Sequence, residues 1–244
     1  MQPGEAVPRE LAEDPDQRPG PGPRPPSATR RRGPVPRRPS TPRAASAQLT
    51  SLYSTGPQTI NGVRIVPCLP QTGSGTRQSF LTAVGVSDSA GITATAACNG
   101  TIQENDGNGL KARALTMPNT QLVIGFSAAN FIAQSNGVAP SQLPAGDPNF
   151  GLGSIDALGL PYNGTGSSLT PNATFYNSTT YGRNVYNVVD TARATGFGNA
   201  DLKSLLVGPT SAICSGPAQT TVNKFGFLSV ATCGSTSLTG PLVP

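Results

Sequence analysis

Val63-Arg64-Ile65-Val66-Pro67, with Gln71-Thr72-Gly73-Ser74-Gly75-Thr76-Arg77-Gln78-Ser79-Phe80-Leu81 just beyond it, is the stretch on which the fold turns. Val63, Ile65 and Val66 predict a strand, and the glycines predict a turn. Phe80, Leu81 and Val84 predict one apolar face of a helix from about Thr76 to Ala83, stopped at Gly85. Ser74 or Thr76 is the natural N-cap, because a hydroxyl there accepts from the free N–H groups of the first turn. Gly73 and Gly75 let the backbone come close to a bound group. Inward N–H groups, hydroxyls and a positive helix end, with Arg77 beside them, can hold an oxyanion. Ser74, Gly75, Thr76 and Arg77 are therefore the candidate anion-binding residues. No Gly-Lys-Ser/Thr closes the loop, so it is not a nucleotide P-loop. The plainer reading is an ordinary capped turn with a solvated Arg77.

On the N-terminal side, Ala47 to Tyr53 predicts a short helix with Leu49, Leu52 and Tyr53 on one face, closed at Thr55-Gly56, and Asn61-Gly62 predicts a turn into the strand. On the C-terminal side, Leu115 to Asn119 reads as a loop and Leu122 to Ser127 as a short buried strand. Ala128 to Gln134 reads as a helix with Phe131 and Ile132 inward, ended by Asn136-Gly137. Residues 138 to 182 are rich in Gly, Pro, Asn and Ser, with Ile155 to Leu158 and Ala173 to Tyr176 as strand pieces. Arg183 to Val189 alternates as a strand does. Asp201 to Leu206 and Ala218 to Phe227 read as helices. Strands alternating with helices make the fold class α/β, in which ligands sit beyond the carboxyl ends of strands.

Composition narrows the chemistry. The 244 residues contain no His and no Trp, and 12% are charged. Serine–histidine triads and histidine-ligated metals are excluded, and no cofactor is expected. Residues 1–46 carry nine arginines against five acidic residues, which is +4 of the chain's +5. This Pro/Arg-rich segment has almost no large apolar residue and is expected to be a disordered tail preceding a domain over 47–244. The basic charge belongs to the tail, so no nucleic-acid partner is expected of the folded part. No apolar segment follows the tail's charges as a signal peptide would require, and no later one is long enough for a transmembrane span.

Cys68, Cys98, Cys214 and Cys233 are too far apart for paired Cys-x-x-Cys zinc ligands, and their even number suits an oxidising compartment. Three pairings are open. Cys214 and Cys233 bracket one short unit, which favours that pair and leaves Cys68 with Cys98; four free buried thiols are the alternative. Asp88, Glu104 and Asp106 could in principle supply a carboxylate pair for hydrolysis, but their loop-like setting reads as solvation. Asn99, Asn163, Asn172 and Asn177 each begin an Asn-x-Ser/Thr pattern, which keeps a secreted surface or adhesion protein as a second reading.

Gly73-Ser74-Gly75-Thr76-Arg77 with Phe80-Leu81 resembles the phosphate-binding loop of phosphate-type periplasmic substrate-binding proteins, the two-lobed type II binding proteins of ABC transporters. Leu49-Thr50 to Leu52-Tyr53 resembles the helix preceding that loop. Glu104-Asn105 and Ile124-Gly125-Phe126-Ser127 with Asn130 to Ala133 resemble the family's "EN…IGYFS" region. Tyr186 to Val189, Cys214 and Lys224 to Phe227 resemble the C-terminal part of actinobacterial-type members. The likeness spans about residues 47 to 235. It implies capture of phosphate or a similar oxyanion rather than catalysis, ABC permease subunits as partners, and an extracytoplasmic location. It also implies one lobe plus part of the second, because the Arg/Pro tail stands where the family has its opening lobe segment. The expectation is therefore a truncated member or one read from a wrong start site. Leu69-Pro70-Gln71 stands where many phosphate-binding members carry an Arg, leaving Arg77 as the nearby guanidinium.

Overall fold

The computed structural model describes residues 43–89, 91–195 and 200–237, all within one unit spanning Pro39–Pro244. The tail expected over 1–46 lies outside the described residues except for its last four. Of these, Arg43–Ala44 form strand β1, and Ser46 opens helix α1 (Ser46–Thr55). Gln48 starts α1 by turning its side-chain oxygen back to the Ala45 N–H, at 2.9 Å. Leu49, Leu52 and Tyr53 are buried, as their spacing predicts.

Strands β2 (Gln58–Ile60) and β3 (Val63–Cys68) form a hairpin closed by Asn61-Gly62. Both turn residues take positive φ, 51° and 79°, as a two-residue turn matched to strand twist requires. β3 carries Pro67, which is uncommon inside a sheet. Pairing with β2 ends at Ile65, so at Pro67 the strand has lost that neighbour and the missing N–H leaves no gap in that ladder. On its other side β3 pairs in parallel with β4 (Thr120–Ile124), giving a sheet ordered β2-β3-β4. Parallel strands need a long crossover. Here it holds three helices: α2 (Gly75–Ala83), α3 (Gly91–Ala97) and α4 (Gly107–Leu115).

The rest of the described chain is α5 (Ala128–Ser135), β5 (Ser154–Ile155), β6 (Tyr162–Asn163), β7 (Thr170–Pro171), α6 (Ala173–Tyr176), α7 (Thr191–Thr195), α8 (Ala200–Leu206) and α9 (Pro217–Lys224). β5 pairs in parallel with β1, and β6 pairs antiparallel with β7. The chain is a mixed α/β protein. Its main core joins α1, β3 and α2 through Leu49, Leu52, Tyr53, Ile65, Leu81 and Val84. Tyr53 sits at its centre, fully buried, and donates from its hydroxyl to the Val123 carbonyl at 2.8 Å and the Cys68 carbonyl at 3.1 Å. A second cluster gathers Phe131, Ile132 and Leu169 with Phe126, Phe150 and Tyr162.

Both disulfides form as the bracketing argument favours, Cys68–Cys98 and Cys214–Cys233. Other expectations need correction. β4 is half-buried rather than buried, because it is the edge of its sheet. Ala173 to Tyr176 is a helical turn, since Asn172 caps it by accepting from the Thr174 N–H at 3.0 Å. The piece at Ile155 to Leu158 ends as a strand at Ile155. Arg183 to Val189 alternates but has no neighbouring strand among the described residues; it is irregular, and Val188 is 90% exposed. The last helix stops at Lys224, before Phe227, because Gly226 turns to φ 80°. α3, α4 and α7 lie in segments given no helix by the sequence reading.

Candidate functional site

The turn after β3 is set by a short pairing beyond the strand. Ile102 N–H donates to the Leu69 carbonyl and Gln71 N–H to the Ile102 carbonyl, each at 3.1 Å. The Gln71 side chain then accepts the Glu104 N–H at 2.8 Å. These bonds bring the segment 102–106 alongside the Gly73-Ser74-Gly75 turn, although nearly thirty residues separate the two in sequence.

Ser74 is the N-cap of α2, and its hydroxyl accepts from the Arg77 N–H at 3.0 Å. An oxyanion does sit on the next amide, and it belongs to the protein. Glu104 Oε1 accepts from the Thr76 N–H at 3.1 Å and from the Thr76 hydroxyl. A carboxylate there is stabilised by the positive helix end. Partial burial pushes the Glu104 pKa upward. The Thr76 hydroxyl, the Ser74 hydroxyl, the Thr76 N–H and the Arg183 charge outweigh that, so the net result lies below the usual carboxylate value.

Arg77 does not face the loop as a free cation and is not solvated. It is 5% exposed, with Nε donating to Asp88 Oδ1 at 2.7 Å and Nη1 to the Pro70 carbonyl at 3.0 Å. Its role is to tie α2 to the end of β3. The guanidinium at the loop is instead Arg183, which donates to Ser79 Oγ at 2.7 Å and lies beside the Gly75 carbonyl. Gly75 is exposed, whereas Ser74 and Thr76 are buried.

Asp88, Glu104 and Asp106 do not form a carboxylate pair, because each serves a different partner; Asp88 is exposed in a turn, as its loop-like setting predicts, whereas Glu104 and Asp106 are half-buried. Asp106 caps α4 by accepting from the Gly109 N–H at 2.9 Å. Asn105 accepts from the N–H of Ser127, the N-cap of α5, at 2.9 Å, and its carbonyl accepts from Gln134 at 3.1 Å. Three consecutive residues, Glu104, Asn105 and Asp106, thus each hold the start of a different helix. The sequence reading marked Glu104 through a family likeness and as a possible hydrolytic carboxylate, marked Asn105 through the likeness, and gave Arg183 a place in a strand but no role at this turn. Asp106 three residues before Gly109 is the local capping signal that could have revealed α4.

Beyond the loop lies a broad open concavity of about 3100 Å³, to which Thr76, Ser79, Phe126, Ser127, Tyr181 and Arg183 contribute. Of the four candidate anion-binding residues, Thr76 is the one that lines it; Ser74, Gly75 and Arg77 do not. Among the Asn-x-Ser/Thr positions, Asn99, Asn163 and Asn177 are exposed, whereas the Asn172 side chain is engaged with the Leu158 and Leu160 carbonyls. No helix among the described residues is long and apolar enough to cross a membrane. No protein-family model, curated protein or solved structure matches the chain.

Proposed function

We propose that the chain is a solute-binding component of type II periplasmic-binding-protein character, one lobe with part of a second. It takes a small oxyanion, phosphate or one like it, at the N-terminus of α2 and delivers it to an ABC permease without chemistry. The observation that supports this is the Glu104 carboxylate itself, because it shows that the Thr76 N–H and O–H converge on one negatively charged oxygen. The placement of the loop after β3, beyond the carboxyl end of a strand, agrees with where α/β sheets bind ligands. Two disulfides suit an extracytoplasmic location.

Binding by this chain is weak. The Thr76 donors are shared with Glu104, the Arg77 amide is capped, and the concavity is open, so an anion reaches the Thr76 donors only in competition with Glu104, with Arg183 beside it. Calorimetry with phosphate should give a dissociation constant of about millimolar, worth roughly 4 kcal/mol, and Thr76→Val should remove it. Binding that Thr76→Val leaves untouched, or no binding even after Glu104 is neutralised, overturns the reading. A secreted or cell-surface structural protein is the second reading. It is favoured by Ser74, Thr76 and Arg77 being at most 6% exposed and satisfied internally.

A further inference from the structure

We infer that Asn184 to Val189 is a strap that closes onto the free edge of β4 as an added antiparallel strand of the same chain, narrowing the mouth of the concavity. Closure needs no bound anion.

β4 ends its sheet, and on the side away from β3 it has no strand partner among the described residues. Exposed edges usually carry a charge, a proline or a bulge that discourages pairing. Thr120-Gln121-Leu122-Val123-Ile124 has neither charge nor proline, and its pairing with β3 runs without a bulge from Thr120 to Ile124. Its outer backbone is therefore an unguarded template for a further strand.

Asn184-Val185-Tyr186-Asn187-Val188-Val189 suits that place. It has no charge, proline or glycine, and Val and Tyr, the residue types strands favour, fill its other positions besides the two Asn. Val185, Tyr186, Val188 and Val189 are nevertheless 65%, 60%, 90% and 39% exposed. Among the described residues, no backbone N–H or carbonyl from Val185 to Val189 has a hydrogen-bond partner. A row of large apolar side chains in water on an unbonded backbone gains from any ladder that covers it.

Position selects β4 as that ladder. Both segments line the same concavity. Arg183 donates to Ser79 Oγ on α2 at 2.7 Å, and the next α2 residue, Phe80, packs against Gly125, where a β-carbon would lie 2.5 Å from the ring. Gly125 directly follows β4, so the strap starts beside the carboxyl end of that strand. Its far end is fixed where Asp190 accepts from the Arg193 N–H at 3.2 Å at the start of α7. A segment that leaves the carboxyl end of β4 and follows its edge runs antiparallel, with Asn184 near Ile124 and Val189 near Thr120. Six extended residues span about 20 Å and the five of β4 about 17 Å, so the lengths agree. Both faces of the strap then carry apolar residues, Val185 and Val189 on one and Tyr186 and Val188 on the other, as β4 does with Leu122 and Ile124 on one and Val123 on the other.

Hydrogen exchange of the full chain, read by mass spectrometry on peptides covering 184–189 and 120–124, tests the closure. With the strap closed about nine-tenths of the time or more, its amides that face β4 should exchange about tenfold or more slowly than in a free peptide of the same sequence. Proline substitution supplies a signature that loose apolar collapse does not. Successive N–H groups of an edge strand point alternately to the ladder and to solvent, so only one of Val188→Pro and Val189→Pro removes a ladder bond. That variant should lose the protection of both segments and the other should keep it, with far-UV circular dichroism to verify folding. Exchange of 184–189 at the free-peptide rate in the unaltered chain overturns the closure, and so does an equal effect of the two prolines. Protection that is lost on dilution from about 100 μM to about 1 μM, with a dimer seen by light scattering, also overturns it, because the added strand then comes from a second copy. Should either proline variant fail to fold, the unaltered chain and its dilution series decide.

Discussion

The two disulfides offer a test in which packing and chain entropy make different forecasts. Cross-linking stabilises chiefly by restricting the unfolded chain. The sequence separations of 30 and 19 residues give about 3.6 kcal/mol for Cys68–Cys98 and about 3.2 kcal/mol for Cys214–Cys233. On entropy alone the two are nearly equal. Packing separates them: Cys68 and Cys98 are fully buried against Ile102, Leu110, Leu122 and Ile124, while Cys214 and Cys233 are half-buried. Replacing the first pair by alanine leaves a void under the sheet that costs roughly 1–2 kcal/mol more. Cys68→Ala/Cys98→Ala should therefore lose about 5 kcal/mol and Cys214→Ala/Cys233→Ala about 3. With a urea dependence of about 2 kcal/mol per molar, the midpoints fall by about 2.5 M and about 1.5 M. Only the first pair encloses α2 and the turn before it, so its loss should also loosen the contact of Glu104 with Thr76. Equal midpoint losses, or a larger loss for Cys214–Cys233, would refute the reading that the cluster of Cys68, Cys98 and Ile102 is the more closely packed setting of the two disulfides.

Gly226→Ala should destabilise by about 2–4 kcal/mol, because φ is 80° there and a β-carbon would lie 2.6 Å from the Ala129 Cα and carbonyl oxygen at the start of α5; a loss under about 1 kcal/mol in urea melts would show that α9 does not bear on α5. Stability should also fall in acid. Glu104 is held low against its burial by Thr76, Ser74 and Arg183, Asp147 is held low by the Asn149 N–H and Lys111, and Asp156 by the Ser46 hydroxyl and N–H. Depressed carboxylates stabilise above their unfolded values near 4 and lose that contribution as pH drops through the folded ones, so urea midpoints should decline from about pH 5 to about pH 3, and a level or rising profile contradicts these contacts.

The parts of this fold that were legible in sequence are those governed by neighbours along the chain. Asn61-Gly62, the Ser74 cap and the apolar spacing of Leu49, Leu52 and Tyr53 act within a few residues, and each has its expected form. α4 was obscured because Gly107-Asn108-Gly109 resembles a turn. Gly107 is required there for a different reason, since a β-carbon at that position would lie 2.6 Å from the Phe150 ring. Arg183 to Val189 shows the opposite error: strand-like alternation is local, but a strand exists only where another backbone offers a ladder. Arg77 was misjudged for want of its long-range setting. Nothing near it in sequence announces that the Pro70 carbonyl and Asp88 will close around it.

The start of α2 shows how a correct local inference can leave the functional question open. A capped helix start with a Thr at its second position does attract a carboxylate, and that much follows from Ser74 to Thr76. Which carboxylate arrives depends on the pairing of Ile102 with Leu69 and Gln71, a contact between segments about thirty residues apart. Once formed, that pairing places Glu104 beside Thr76, so the helix start is capped by a carboxylate of the same chain. The neighbouring Asn105 and Asp106 bonds to Ser127 and Gly109 fix the backbone around it, so one short segment secures three helix starts.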